Sequence, residues 1–129
     1  MIDGRWNFFL GEECNEFVTI SERKYHFWKI SGNLTLQYQE GDIPKKKDLF
    51  TSKDDHFTAC EYLMPTPEQI SVYMILGLSN GNVWVVDTRC NQFLYSVRVL
   101  EGSPIRQFYT SKSKIIVEGT NDNQIHCWP

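Results

Sequence analysis

The side chains with reactive or metal-binding potential in this 129-residue chain are three histidines, four cysteines and two pairs of adjacent carboxylates. A structural or catalytic metal needs several such ligands at short spacing. Cys14, Cys60, Cys90 and Cys127 lie far apart and form no Cys-x-x-Cys pair, so they read as free, mostly buried thiols in a reducing compartment. His26 and His126 each stand two residues before a tryptophan, and that equivalence predicts packing and not ligation. His56 follows Asp55 directly. Neighbouring side chains on a strand point to opposite faces, so this pair makes a poor acid–base dyad, and a solvated loop is expected. Glu12-Glu13 and Asp54-Asp55 could cleave a glycoside only if distant strands set two carboxyls opposite each other, and both pairs are expected in loops. Gly77, Gly81, Gly102 and Gly119 form no phosphate-binding loop, and no helix follows them. Ser79, Ser103 and Ser111 lack a nucleophile-elbow context. The expectation is a chain with no catalytic residue, no cofactor, no metal and no small-molecule substrate.

The bulk numbers point the same way. Thirteen basic and 16 acidic residues give a formal charge of −3, which disfavours a nucleic-acid partner. Hydrophobic content of 41% and aromatic content of 14% predict a packed core and not disorder. No run of 18 apolar residues occurs and Met1-Ile2-Asp3-Gly4-Arg5 is not a signal region, so no membrane partner is expected and the localisation read is cytoplasmic, not secreted. Asn33-Leu34-Thr35 is then a chance glycosylation sequon.

The elements that would position these residues are short strands. The strongest signal is Leu76 to Asp87, two apolar runs about Asn80-Gly81, which predicts a hairpin with a type I′ turn. Further β-rich runs are Arg5–Leu10, Glu16–Ser21, Lys24–Ile30, Leu34–Gln39, Phe57–Leu63, Ile70–Leu78, Asn82–Asp87, Phe93–Leu100, Ile105–Thr110, Lys114–Gly119 and Gln124–Trp128. No segment carries apolar residues at helical spacing. Between the first four runs and the next lies a polar stretch from Glu40 to His56, holding Lys45-Lys46-Lys47 and Asp54-Asp55, which reads as a long surface loop.

Aligned on their last apolar positions, Trp28, Val86 and Trp128, the third strands of the three sets lie 58 and 42 residues apart. The second spacing matches the period of a four-stranded propeller blade. The first is longer by about the length of the polar loop. In each copy one strand face carries Tyr25 and Phe27, Val83 and Val85, or Ile125 and Cys127. The other carries His26 and Trp28, Trp84 and Val86, or His126 and Trp128. Both faces are largely apolar, as sheets stacked between neighbours require.

On these residues the chain resembles the WD-repeat β-propeller family, whose blades often end their third strand in Trp-Asp. Val86-Asp87 stands at that place with Val for Trp, whereas Trp28-Lys29 and Trp128-Pro129 keep the Trp and lose the Asp. The resemblance implies a hydrogen-bonded tetrad: an Asp in the turn before the third strand, a Ser or Thr on the second strand, the Trp, and the His of an earlier Gly-His pair. Thr120, Asp122 and Trp128 fall at three of these places. Gly102-Ser103 stands where Gly-His would, Asn80 and Glu22 stand where the turn Asp would, and the tetrad is incomplete in every copy. Phe27-Trp28-Lys29-Ile30, Gly32, the lysine-bearing loop and the stretch Gly77 to Asp87 are similar to the irregular repeats of microtubule-associated and cilia- and flagella-associated WD-repeat proteins.

The expected architecture is an all-β, WD-repeat-like propeller fragment of about three four-stranded blades, the last incomplete: blade one at about 5–39, an insertion loop at 40–56, blade two at about 57–100 and blade three at about 101–129. A two-layer β-sandwich using the same strands is the alternative. The resemblance implies a non-catalytic protein–protein scaffold within a larger WD-repeat protein, with a cytoskeletal or ciliary setting, and Lys45, Lys46, Lys47 and Arg106 are the candidate partner contacts. A ligand-binding or hydrolytic enzyme on the same fold and a nuclear reader of peptides or histone tails are the competing functions, since propellers host many unrelated activities.

Overall fold

The computed structural model describes residues 2–6, 15–33, 35–44, 54–63, 73–111 and 114–120 in full, and the backbone of 125–128. Eleven strands run through them: β1 (Asp3–Trp6), β2 (Glu16–Ile20), β3 (Tyr25–Ile30), β4 (Leu36–Glu40), β5 (Phe57–Tyr62), β6 (Tyr73–Leu78), β7 (Asn82–Asp87), β8 (Gln92–Arg98), β9 (Ile105–Thr110), β10 (Ile115–Gly119) and β11 (Ile125–Trp128). Among the described residues there is no helix. The strands make three separate antiparallel meanders, β1-β2-β3-β4, β5-β6-β7-β8 and β9-β10-β11. Each sheet is built from strands consecutive in sequence, and the second packs against both of the others, so the three are successive stacked modules and not the two layers of a sandwich.

The first strand begins earlier than its apolar run. It starts at Asp3 because its register is set by β2, with Asp3 opposite Ile20 and Trp6 opposite Phe17; residues 7–10 lie outside the described residues. Residues 70–72 of the run expected before β6 do as well.

Alternation sorts each sheet into two faces. In the first sheet Val18, Ile20, Tyr25 and Phe27 point towards the second sheet. There they meet Cys60, Tyr62, Met74, Leu76, Trp84 and Val86 in one core cluster. The opposite face of the second sheet, with Ala59, Ile75, Val83 and Val85, meets Ile105, Phe108 and Val117 of the third in a second cluster. We call the face a sheet turns to its successor downstream and the other upstream. The second sheet is buried on both, so its strands β6 and β7 are nearly continuous apolar runs, and Trp84 is 0% exposed. Edge-to-face contacts of Trp84 with Phe57 and Phe93 at 5.1 Å fix its ring.

The β6–β7 turn is not the expected type I′. Leu78 and Asn82 close a three-residue loop in which Gly81 N–H donates to Leu78 O at 3.1 Å, and Gly81 alone has positive φ, at 90°. That is a type I turn followed by a left-handed glycine. Packing selects it: Gly81 O accepts from Val99 N and Leu100 N, and a Cβ on Gly81 would lie 1.4 Å from Leu100 O. Gly102 also has positive φ, at 70°, but nothing lies within 4 Å of its Cβ position. Gly102→Ala should therefore cost only the left-handed backbone term, about 1 kcal/mol. Gly81→Ala must also displace backbone and should cost at least about 3 kcal/mol. Equilibrium urea unfolding of the two variants checks the ordering, and equal losses would contradict it.

Candidate interaction surfaces

Three polar arrangements tie the first two sheets together and present their loops. At one end of the strands, the β2–β3 turn, the residues before β5 and the β6–β7 turn form a seam. Phe57 N donates to Glu22 O at 2.8 Å and Arg23 Nε to Asp55 O at 3.1 Å. Asp55 is only 7% exposed, and its Oδ2 accepts from Asn80 Nδ2 at 3.1 Å. Asn80 Oδ1 in turn accepts from Asn82 N at 2.9 Å. His56 N and Ser79 exchange bonds, with His56 N donating to Ser79 Oγ at 3.0 Å and Ser79 N to His56 O at 2.9 Å. His56 Nδ1 lies 2.8 Å from Asp54 O. The expectation of a solvated loop at Asp55-His56 is thus corrected: a carboxylate whose acceptor sites are met by a neighbouring turn can be buried, and here it sets that turn's position. The third sheet repeats part of the seam, with Thr120 N donating to Pro104 O at 3.1 Å and buried Ser103 standing where Asp55 stands.

At the outer edge, Gly41 and Asp42 leave β4 and lock onto the β7–β8 turn. Asp42 N donates to Asn91 Oδ1 at 3.1 Å, Asn91 Nδ2 to Glu40 O at 2.8 Å and Phe93 N to Asp42 Oδ2 at 3.2 Å. Asn91 takes a left-handed φ of 52°, which asparagine tolerates better than most residues. Tyr25 OH donates to Asp42 O at 2.5 Å, and burial, reinforced by the Asp42 charge, holds its phenol far above the usual range. The start of the polar loop is therefore built into the fold, with Gly41 buried.

At the inner edge, Arg5 Nη1 meets Asp3 Oδ1 at 3.2 Å and Arg5 Nε meets Glu61 Oε2 at 3.6 Å. Burial raises the Glu61 pKa, against the opposing hydrogen bond from Tyr62 N and the charge of Arg5. Burial likewise pushes the neighbouring Cys60 thiol far up, so it is inert. Cys90 is exposed. No group of three or more His, Cys, Asp or Glu among the described residues could hold a metal ion. Among the described residues no helix long and apolar enough to cross a membrane occurs.

Of the candidate contacts, Arg106 is exposed on β9 and pairs loosely with Glu118 Oε2 at 3.9 Å. Lys45, Lys46 and Lys47 lie outside the described residues, as does Asp122. Thr120 is exposed at the end of β10. For Trp128 only the backbone is described, opposite Ile115. The structure also shows a pair that sequence reasoning passed over: Trp28 Nε1 donates to Thr19 Oγ1 at 2.8 Å, joining the third and second strands of the first sheet. Thr19 and Trp28 lie on one face two register positions apart, and that spacing was the available signal.

Solved structures that share this arrangement include the following two. The β-propeller domain of Cps50 (Swd1) from Myceliophteria thermophila matches with a TM-score of 0.62 at 17% identity, over 83% of this chain and 33% of that one. The fold is a partial β-propeller. BBS1N, solved in complex with ARL6DN, matches with a TM-score of 0.61 at 10% identity, over 88% of this chain and 34% of that one. The propeller section here thus spans about a third of the length of the solved structures it matches. Neither a protein-family profile nor a curated protein sequence matches the chain. As blades of a propeller, the sheets place β1, β5 and β9 innermost and β4 and β8 at the rim. The inner ion cluster then lines the axis, and the Asp55–Asn80 seam lies on one circular face.

The raised Glu61 pKa has a signed consequence. Its penalty is absent below the unfolded carboxyl value of 4.5 and grows as pH rises through the folded value. Glu61→Gln removes that term, so the variant should gain stability over the wild type between pH 4 and pH 7. Urea midpoints at the two pH values check this, and a gap that narrows as pH rises would refute it.

Proposed function

We propose that this chain is a section of a larger propeller that serves as a non-catalytic protein-binding scaffold. The observation that carries the reading is a stack of three sheets, the middle one packed on both faces, whose polar loops are pinned by side-chain hydrogen bonds and, among the described residues, are not gathered round a reactive centre. Loops held on a rigid scaffold suit the recognition of another protein. The likeness to BBS1N, which was solved in complex with ARL6DN, supports protein binding; a ciliary or cytoskeletal setting rests on the resemblance of the Phe27-Trp28-Lys29-Ile30 and Gly77–Asp87 stretches to the irregular repeats of such proteins. The contacts are assigned to the insertion at Lys45-Lys46-Lys47 and to Arg106, whose planar guanidinium suits an interface. Thr120, Asp122 and Trp128 are assigned a structural role as the remnant of a polar tetrad.

A groove of about 310 Å³ between the first two sheets, with Lys29, Gln37, Gln39, Tyr62 and Thr88 in its lining, is the feature that a ligand-binding reading would use. Its polar groups are scattered along β3, β4 and the ends of β5 and β7 and do not converge on one reactive centre, so the scaffold reading stands ahead of it.

Changing Lys45, Lys46 and Lys47 together to Glu, and separately Arg106→Glu, tests the assignment in the full-length protein. Partner recovered by affinity purification with quantitative mass spectrometry should fall at least about fivefold, since like charges at an interface are strongly unfavourable, while the thermal midpoint stays put. Undiminished recovery in both variants would exclude these residues as the contact.

A further inference from the structure

The first two sheets part at the end of their strands away from the Asp55–Asn80 seam. There the downstream face of the first and the upstream face of the second leave the groove of about 310 Å³. Both of its walls belong to this chain, so it does not depend on what lies before or after the three sheets. Its floor is apolar: Tyr62 is 3% exposed, and Phe27 packs on the same core cluster. One wall is polar. Glu16 on β2 stands directly opposite Lys29 on β3, and Lys29 stands opposite Gln37 on β4. Gln39, opposite Phe27, follows on the same face. The row therefore runs acid, base, amide from the inner strands to the rim. Opposed charges on neighbouring strands can pair, but here they do not. Among the described residues none of these four side chains finds a hydrogen-bond or ion-pair partner.

We infer that this groove holds an extended segment of another protein that carries a basic, a large apolar and an acidic residue in succession. The inference rests on the scaffold reading and deepens it, naming a partner chemistry at a place other than the lysine run and Arg106. In an extended chain residues i and i+2 point one way, about 6.7 Å apart, and i+1 points the other. Neighbouring strands lie about 4.8 Å apart, and the long side chains of Glu16 and Lys29 span the difference. A segment crossing the strands sets its base against Glu16 and its acid against Lys29, and the residue between them turns to Tyr62 on the facing sheet. Either chain direction meets the row, so the two orders of the triplet are equivalent. Gln37 and Gln39, each both donor and acceptor, suit the amides of the segment's backbone. The size of the groove fits a short segment, since it stands at the bottom of the range of small-molecule sites, roughly 300–1,000 Å³. Lys29, Gln37 and Gln39 are exposed, which makes it a cleft and not an enclosure.

Selection of random peptides displayed on phage against the full-length protein tests this. Enriched sequences should carry the base–apolar–acid triplet in either order. A fluorescent peptide of the most enriched sequence should lose at least about tenfold in affinity for Lys29→Glu and for Glu16→Lys, each of which sets like charges together. The double variant, Glu16→Lys with Lys29→Glu, keeps one acid and one base in exchanged places. The same peptide, running the opposite way, should bind it within about threefold of the wild type, a recovery that independent effects would not give. Enrichment without the triplet overturns the inference, as does undiminished binding to either single variant or a double variant as weak as the single ones. Failure to enrich any sequence also overturns it, and the scaffold reading then stands or falls separately on the lysine and Arg106 variants.

Discussion

Everything in this fold depends on the second sheet being buried on both faces. A sheet with one wet face alternates apolar and polar residues, whereas Met74 to Leu78 and Val83 to Val86 do not alternate at all. Such strands are insoluble alone. They require a sheet on either side, and the chain supplies them as meanders before and after. The cost of removing any part of the contact is correspondingly large. Trp84 alone, boxed by Phe57 and Phe93, would leave a cavity worth about 3–5 kcal/mol on truncation.

Apolar stacking is not directional, and two flat faces could slide. The polar seam removes that freedom. Asn80, in the three-residue β6–β7 turn, donates to the carboxylate of buried Asp55. The turn closes only with glycine at 81, because Leu100 O stands where a Cβ would be. A turn, a buried carboxylate and a neighbouring sheet are thus one coupled choice. At the rim, Asn91 and Asp42 make a second such choice between β4 and β8. Two polar pins far apart on the same seam define both the position and the angle of one sheet on the next, which hydrophobic area by itself leaves loose.

Much of this was legible in the residues. Short β-rich runs bounded by turn residues located the eleven strands, because the packed faces demand apolar and β-branched side chains and the turns between them demand Gly, Asn, Ser and Pro. β7 at Asn82–Asp87 and β9 at Ile105–Thr110 were found to the residue, since Gly81 and Pro104 end the preceding turns sharply. The alignment of Trp28 with Val86 also survives: both lie on upstream faces at one register position. What was hidden is what depends on partners distant in sequence. Asn80-Gly81 signals a type I′ turn when only local twist is weighed, and the deciding contact, Leu100 O, lies about twenty residues away. Asp55 and His56 look like solvent-facing loop residues because nothing in their neighbourhood reveals Ser79 and Asn80. Thr19 is unremarkable until Trp28 is folded over it.

The same logic explains why the exposed faces differ in kind from ordinary surface. A lone apolar side chain on a surface carries no message, since much of any protein's surface is apolar. Four aromatic rings in one register row, Trp6, Phe17, Trp28 and Tyr38, are different, because their pairing across β1 to β4 is the pairing that buries Tyr62, Met74, Val86 and Phe93 one sheet later. The rings already satisfy part of their need by touching each other, and Trp28 satisfies its N–H through Thr19. Phe17 and Trp28 stack nearly parallel, at 4°, while Trp6 and Tyr38 tilt against them by 49° and 35°, so the rings brace one another along the row. The chain therefore carries on its outside the same surface that it uses inside, and the physics that packs the second sheet acts with equal force on the first.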